Sequence, residues 1–200
     1  MIRILLGHNG ALLRGALAAL ISAEPDLEVV AQLARTGDVP AAIARERPQV
    51  AILDYLLPGN ATVSELCRTL PDCAVLVVLD PQLSAGAGRS LAQLAPRVGL
   101  IGTEASPAEL VDGVRQLARG EPVLDPALAV AALTAGDNPL TERECEVLRR
   151  VMDGAPAKEI AKKLELNVGT VRNYLSRILA KTGARTHVDA VRIAQEAGWI

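Results

Sequence analysis

The sequence predicts an α/β fold with a doubly wound, five-stranded parallel sheet, followed by an all-helical region. Over the first 120 of the 200 residues, short apolar runs alternate with longer stretches of helical periodicity, which is typical of a parallel sheet covered on both faces. Beyond residue 138 only helical patterns appear. No Gly-x-Gly-x-x-Gly fingerprint follows a strand, which favours the flavodoxin-like (CheY-like) strand order 2-1-3-4-5 over a dinucleotide-binding fold.

Each predicted strand is apolar and mostly rich in β-branched residues. The strands are Ile2–Leu6, Glu28–Ala34, Val50–Leu53, Ala74–Leu79 and Val98–Ile101. Helices are predicted between and after them at Ala11–Ser22, Val39–Arg45, Val63–Leu70, Gly86–Leu94 and Pro107–Arg119. The last of these has Ser106 as its N-cap and proline at its first position, and Gly120 ends it.

Residues 1–121 are predicted to form the α/β domain, and residues 122–138 a linker whose alanine-rich stretch can form one short helix. Residues 139–200 form the predicted helical domain. Its helices are Glu142–Met152, Ala157–Leu164, Val168–Lys181 and His187–Ala197. The first carries the capping-box pattern Thr141-x-x-Glu144 at its start.

Charge separates the two regions, although the whole chain has a net charge of only −2. Residues 1–138 contain ten arginines, no lysine and fifteen acidic residues, whereas residues 139–200 contain eleven basic and eight acidic residues. A basic module on an acidic partner indicates contact with a polyanion. Aromatic residues make up 2% of the chain and Phe is absent, which disfavours single-strand and RNA binding by base stacking and leaves duplex DNA.

Other classes of protein are disfavoured by pattern. No apolar run approaches the roughly 20 residues of a bilayer-spanning helix, and the first residues lack a secretory signal pattern, so we expect a cytoplasmic protein with no membrane partner. The three cysteines, Cys67, Cys73 and Cys145, have neither the spacing of zinc ligands nor that of a disulfide framework.

The third C-terminal helix follows a short turn, residues 165–167, of the kind found in a helix-turn-helix. The periodicity turns five residues toward the core, namely Val168, Val171, Leu175, Ile178 and Leu179. It turns six residues outward, namely Thr170, Arg172, Asn173, Ser176, Arg177 and Ala180. Arginine can read guanine, asparagine can read adenine, and serine can contact either base or phosphate. Lys158 and Lys181 are predicted phosphate contacts.

A solvated helix face is the alternative for this outward surface. The helix-turn-helix spacing and the local positive charge favour DNA instead.

Three segments together resemble the LuxR-type helix-turn-helix: Leu140–Leu148, Lys158–Ala161 and Gly169–Leu179. With the α/β region, all 200 residues resemble a NarL/FixJ-family response regulator, in which a receiver domain controls a dimeric DNA-binding domain. The segments Arg172–Ser176 and Ile193–Ile200 are most similar to a DesR-like branch known from actinobacteria.

The resemblance implies a transcription regulator that binds double-stranded DNA as a homodimer and is not an enzyme. It implies that the third C-terminal helix enters the major groove, with Arg172, Asn173 and Ser176 positioned to touch bases. The fourth helix, His187–Ala197, is expected to pair two modules.

Asp54 closely resembles the phosphoacceptor of receiver domains, because it ends the third strand and precedes Leu57-Pro58-Gly59. The family normally places an acidic pair for Mg²⁺ after the first strand, a hydroxyl after the fourth and a lysine after the fifth. In this sequence those positions hold His8, Asn9, Leu79 and Thr103.

These substitutions predict a degenerate receiver. Phosphoryl transfer depends on positioning and charge neutralisation, and residues 1–138 can supply no lysine. One carboxylate with an amide and an imidazole is a poor Mg²⁺ site, so we expect weak or absent Mg²⁺ binding and no cofactor. Control by a small-molecule ligand, by a partner protein or by concentration-dependent dimerisation stays open.

Two alternatives remain for the α/β region. One is a conventional regulator phosphorylated on Asp54 by a histidine kinase. The other is an enzyme using His8 and Asp54 as an acid–base pair, although no nucleophile motif, phosphate loop or metal cluster accompanies them. For His8, a packing imidazole is favoured over a metal ligand. For Asp54, a turn residue that accepts backbone hydrogen bonds is weighed equally with a residual signalling role.

Overall fold

The structure is a computed structural model that describes residues 1–70, 73–80, 85–134 and 138–200. Five parallel strands form one sheet in the order β2-β1-β3-β4-β5. The strands are Ile2–Gly7 (β1), Leu27–Leu33 (β2), Val50–Asp54 (β3), Ala74–Leu79 (β4) and Val98–Gly102 (β5). The strand order reverses between β1 and β3, which is where ligand crevices form in open α/β sheets. The predicted fold class and strand order are confirmed.

Helices cover both faces of this sheet. They are Ala11–Ser22 (α1), Val39–Glu46 (α2), Val63–Thr69 (α3), Ala85–Ala92 (α4) and Pro107–Ala118 (α5), with a short 3-10 turn at Thr36–Asp38. Successive strand residues point to opposite faces, so Leu5 and Leu53 pack with α2, α3 and α4, whereas Ile4 and Ile52 pack with α1 and α5. Every predicted element lies within two residues of its observed bounds.

The alanine-rich stretch of the predicted linker forms helix α6, Pro126–Thr134. Just before it, Leu124 makes a parallel bridge with β5, and the Asp125 carboxylate accepts a hydrogen bond from the backbone N–H of Gly102 at 3.2 Å. Helix α6 packs against α4 and β5. The linker therefore lies along the free edge of the sheet up to the end of α6, and residues 135–137 fall outside the described residues.

Four further helices follow, as predicted: Glu142–Met152 (α7), Ala157–Lys163 (α8), Val168–Thr182 (α9) and His187–Glu196 (α10). They pack around their own apolar cluster. The predicted capping box is present, because the Thr141 hydroxyl accepts from the Glu144 backbone N–H at 3.3 Å and the Glu144 carboxylate accepts from the Thr141 backbone N–H at 2.7 Å. In the part of the chain that the structure describes, no helix has the length and apolar character to cross a bilayer.

The first turn of α7 contacts the α/β region. The Glu142 carboxylate accepts hydrogen bonds from the Thr62 hydroxyl at 3.4 Å and from the Ser90 hydroxyl at 3.2 Å. The buried Arg143 guanidinium donates to the backbone carbonyl of Gly59 at 3.0 Å. This contact joins the loop after β3 to the helical region, and the sequence patterns did not predict it.

Candidate functional site

Asp54 lies at the carboxyl end of β3, where the strand order reverses. Its Oδ1 atom accepts a hydrogen bond from the backbone N–H of Leu56 at 3.0 Å. Its Oδ2 atom lies 3.5 Å from Nε2 of His8, which follows β1, and the two side chains are 22% and 20% exposed. The structure therefore brings Asp54 and His8 together, and Asp54 has the turn contact that the sequence offered as one alternative.

Local contacts fix the orientation of the His8 ring. Its Nδ1 atom accepts a hydrogen bond from the backbone N–H of Gly10 at 2.9 Å. The Arg14 guanidinium donates to the backbone carbonyl of His8 at 2.6 Å. Because Nδ1 accepts, the proton of a neutral ring belongs on Nε2, the atom that faces Asp54. His8 thus acts as a loop residue whose ring closes one side of the Asp54 carboxylate.

The other receiver positions lie at the ends of their predicted strands. Asn9 is exposed beside His8. Leu79 ends β4 and is only 2% exposed, and its backbone carbonyl accepts a hydrogen bond from the N–H of Thr103 at 3.2 Å. Thr103 is exposed and follows β5. Neither Leu79 nor Thr103 carries a charge, and the buried side chain of Leu79 has no hydroxyl.

The donor atoms next to Asp54 differ from the set that Mg²⁺ prefers. Mg²⁺ requires nearly octahedral oxygen coordination and usually binds carboxylates, phosphates and water. Here one carboxylate, that of Asp54, faces an imidazole nitrogen at 3.5 Å, and the neighbouring Asn9 offers only a neutral amide. Within the described ranges, no group of three or more His, Cys, Asp and Glu side chains is arranged to hold a metal ion.

Helix α9 has one buried and one exposed face. Val171, Leu175 and Ile178 are buried, as the periodicity predicts, while Val168 and Leu179 are partly buried against the same cluster. Among the outward positions Thr170 is half-buried. The exposed ones are Arg172, Asn173, Ser176, Arg177 and Ala180. The core thus holds α9 while its polar side chains project into solvent, which is the arrangement that a groove-reading helix needs.

The two predicted phosphate contacts differ in their surroundings. Lys158 is exposed at the start of α8. Lys181, near the end of α9, donates a hydrogen bond from Nζ to the Glu144 carboxylate at 2.6 Å, and the Glu144 side chain is only 2% exposed. Lys181 therefore ties the end of α9 to the start of α7, a role that sequence reasoning missed because the partners are 37 residues apart.

Opposing effects act on the Glu144 carboxyl. Burial alone would raise its pKa, but the hydrogen bonds from Lys181 and Thr141 lower that pKa below its ordinary value. The carboxylate is therefore held in its charged form in the folded protein.

Comparison with known proteins places these features in a family. Residues 138–194 match the family described as "Bacterial regulatory proteins, luxR family". The chain is 35% identical to the transcriptional regulatory protein DesR of Bacillus subtilis, over 100% of this chain and 99% of that protein. It is 38% identical to the response regulator RamR of Streptomyces coelicolor, over 100% of this chain and 98% of that protein.

Solved structures share the fold. The response regulator ChrA of a heme-sensing two-component system has a TM-score of 0.56 at 23% identity, covering 100% of this chain and 98% of that chain. RcsB from Salmonella enterica serovar Typhimurium, bound to promoter rprA in the presence of the phosphomimetic BeF3−, has a TM-score of 0.66 at 17% identity, covering 96% of this chain and 97% of that chain.

Proposed function

The chain belongs to the NarL/FixJ family of response regulators, with a LuxR-type helix-turn-helix, and we propose that it regulates transcription without conventional Mg²⁺-dependent phosphorylation of Asp54. The relatives confirm the family that the motifs indicated. DesR is named as a transcriptional regulatory protein and RamR as a response regulator, as expected for a chain that is not an enzyme. DNA binding is therefore the activity of the chain, and two questions follow: which residues recognise the DNA sequence, and what controls binding.

The exposed face of α9 supports DNA reading in the major groove. Arg172 offers a bidentate donor for guanine, Asn173 a donor and acceptor for adenine, and Ser176 a hydroxyl for base or phosphate. Arg177 and Lys158 are exposed cations within reach of a backbone phosphate in such a complex. We propose a homodimer whose half-sites lie about one helical turn (~34 Å) apart, or a multiple of it.

The environment of Asp54 supports control without phosphorylation, and the His8–Asp54 contact is the observation that carries the proposal. The imidazole lies 3.5 Å from the carboxylate. It therefore occupies space beside the carboxylate that a metal ion or an incoming phosphoryl group would need. Residues 1–138 supply no lysine to neutralise a phosphoryl dianion. Electrostatic stabilisation of the transferring group is the main catalytic contribution in phosphoryl transfer, so this pocket lacks most of it.

A phosphorylation assay tests this proposal. The full chain is incubated with acetyl phosphate, with and without Mg²⁺, and its intact mass and its affinity for a selected duplex site are measured. We expect no mass increase on Asp54, and an affinity that stays within about twofold of the untreated protein, a difference worth under about 0.5 kcal/mol.

Asp54→Asn is the matched control, because it keeps the side-chain shape and removes the acceptor carboxylate. It should bind DNA as the wild type does under both conditions. A mass increase that needs Mg²⁺, disappears in Asp54→Asn and strengthens DNA binding would instead identify a conventional regulator that takes phosphate from a histidine kinase.

A further inference from the structure

A cleft lies between the two regions of the chain, on the contact that joins the loop after β3 to α7. Its volume is about 170 Å³. An apolar cavity of about 150 Å³ is large enough to hold benzene. The cleft therefore has room for a compact ring or a branched chain of similar size.

The walls of the cleft are held at a fixed separation. Arg143 bridges them, because its guanidinium donates to the carbonyl of Gly59 at 3.0 Å on one side and to the carbonyl of Leu164 at 2.7 Å on the other. Arg143 also pairs with Glu146 at 2.5 Å, and its side chain is only 9% exposed. A bridge made of buried, charge-assisted hydrogen bonds keeps the two walls facing each other.

One part of the lining is apolar. Leu56, Leu57 and Pro58 contribute the wall from the α/β region, and Leu164 and Met152 contribute apolar surface from the helical region. Leu57 and Leu164 are almost fully buried, so their positions are fixed by the cores behind them. Such a surface favours the apolar body of a ligand.

The other part of the lining is charged. Arg149 and Arg150 line the cleft together with Glu146 and Asp153. Both acids already have guanidinium partners, Glu146 in Arg143 and Asp153 in Arg150 at 3.3 Å. Arg150 is partly exposed and pairs with Asp153 through one nitrogen. A guanidinium carries five N–H donors in a planar fork, more than one carboxylate accepts, so Arg150 can bind a further carboxylate.

We propose that this cleft binds a small monocarboxylate with a compact apolar body, and that the ligand stabilises the docked arrangement of the two regions. The ligand's apolar part lies on the leucine wall and its carboxylate meets Arg150. This rests on the proposed function, since it supplies a control signal in place of phosphate. A ligand that touches both regions favours the state in which they are together, by as much as its affinity for that state exceeds its affinity for others.

A residue that lines the cleft also contacts Asp54. Leu56, which lines the cleft, donates its backbone N–H to the Asp54 carboxylate at 3.0 Å. The ligand thus contacts the same loop that hydrogen-bonds the Asp54 carboxylate.

A titration of the full chain with benzoate tests the proposal. Methyl resonances of leucine and methionine are followed by NMR as benzoate is added, with benzamide as an uncharged probe of equal size. We expect saturable shifts confined to Leu56, Leu57, Met152 and Leu164, with a Kd of about 1 mM, in the range reachable by a ligand this small. Benzamide should bind about tenfold more weakly, because it lacks the carboxylate.

Two variants and a control sharpen the result. Arg150→Gln removes a guanidinium from the wall, and Met152→Trp fills the cleft from a site that is 41% exposed and therefore tolerant of a larger side chain. Each should weaken benzoate binding about tenfold or more, whereas Arg119→Gln, beside the exposed end of α5, should leave it unchanged. If Arg150→Gln does not fold, Met152→Trp carries the test.

Several outcomes would overturn the proposal: no saturable binding, equal affinity for benzoate and benzamide, shifts centred on leucines away from the cleft, or undiminished binding in Met152→Trp. The titration contains neither Mg²⁺ nor acetyl phosphate. Failure to bind benzoate would therefore contradict the ligand proposal but not phosphorylation-independent control. Phosphorylation of Asp54 would contradict phosphorylation-independent control without changing the measured binding of benzoate to the cleft.

Discussion

The strand-end pocket of the α/β region and the outer face of α9 both hold polar side chains at the positions that the family uses for function. In the pocket these side chains bind their own loops, whereas on α9 they are exposed to solvent. At the pocket, Asp54 and His8 are satisfied by backbone groups two residues away and by each other. On α9, Arg172 and Asn173 project from a helix whose other face is buried. Polar groups bound to their own loop are poorly placed to bind a partner, whereas exposed groups on a rigid support are well placed.

The two regions also differ in their charged residues. The four lysines of the chain all lie after residue 138, and residues 1–138 have ten arginines against fifteen acids. Several of those arginines are engaged in structure; Arg115, for example, pairs with Glu24 and Asp26. All lysines thus lie in the domain where a polyanion would bind, and residues 1–138 supply no lysine to pair with a phosphorylated aspartate.

The largest expected effect is on the DNA-reading side of the comparison. Arg172→Ala should weaken binding to the selected site by about 1–3 kcal/mol and relax discrimination at one base pair, because a bidentate guanine contact is lost. Fluorescence anisotropy with the selected duplex and with single-base variants measures both effects. Arg119→Ala, an exposed arginine on α5, is the control and should change neither. A loss that is uniform across all duplexes would assign Arg172 to phosphate instead.

Lys181 tests whether a cation on α9 serves DNA or the fold. We expect Lys181→Met to lower the free energy of unfolding by about 1–2 kcal/mol, between the values for exposed and buried pairs, because Glu144 is buried while Lys181 is partly exposed. Urea unfolding measures it. Lys163→Met, which breaks an exposed pair with Glu159, should cost less than about 0.5 kcal/mol. Equal stability of the two variants, with weaker DNA binding in Lys181→Met, would restore a pure phosphate role.

Acidification should act through the same pair. The folded pKa of Glu144 lies below its ordinary value of 4.5, so its contribution to stability is present above about pH 4.5 and is lost as the pH falls through the folded pKa. Glu144→Gln keeps a capping-box residue and removes the titration. The wild type should therefore lose more stability than Glu144→Gln between pH 5.5 and about pH 3, measured by urea unfolding at each pH. Parallel stability curves for the two proteins would contradict the assignment.

The sequence predicted the elements well and their contacts poorly, for a physical reason. Strand and helix patterns are local, so the elements and the buried face of α9 followed from periodicity. The order of the sheet followed from the fold class that these elements indicate. Lys181 pairs with Glu144, 37 positions away, and Arg143 donates a hydrogen bond to Gly59, 84 positions away. No pattern along the chain records which of several acids or carbonyls a distant cation will meet.

The placement of the linker shows the same limit. Its alanine-rich stretch indicated a helix, and α6 forms there. The docking of Leu124 and Asp125 on β5 depends on an open sheet edge, which exists only after five strands have paired. In the strand-end pocket, by contrast, the strand termini alone placed Asp54 near His8, because β1 and β3 are neighbours in the predicted order.

The smallest expected effect separates the two roles of His8. His8→Ala removes the acceptor of the Gly10 N–H and should cost about 0.5–1 kcal/mol of stability, as for one partly exposed hydrogen bond. His8→Asn should cost close to nothing, because an asparagine oxygen can accept from the N–H two residues on, as Nδ1 does now. Urea unfolding of both variants distinguishes these cases. Equal losses would mean that the Nε2 contact with Asp54 contributes more to stability than the turn hydrogen bond does.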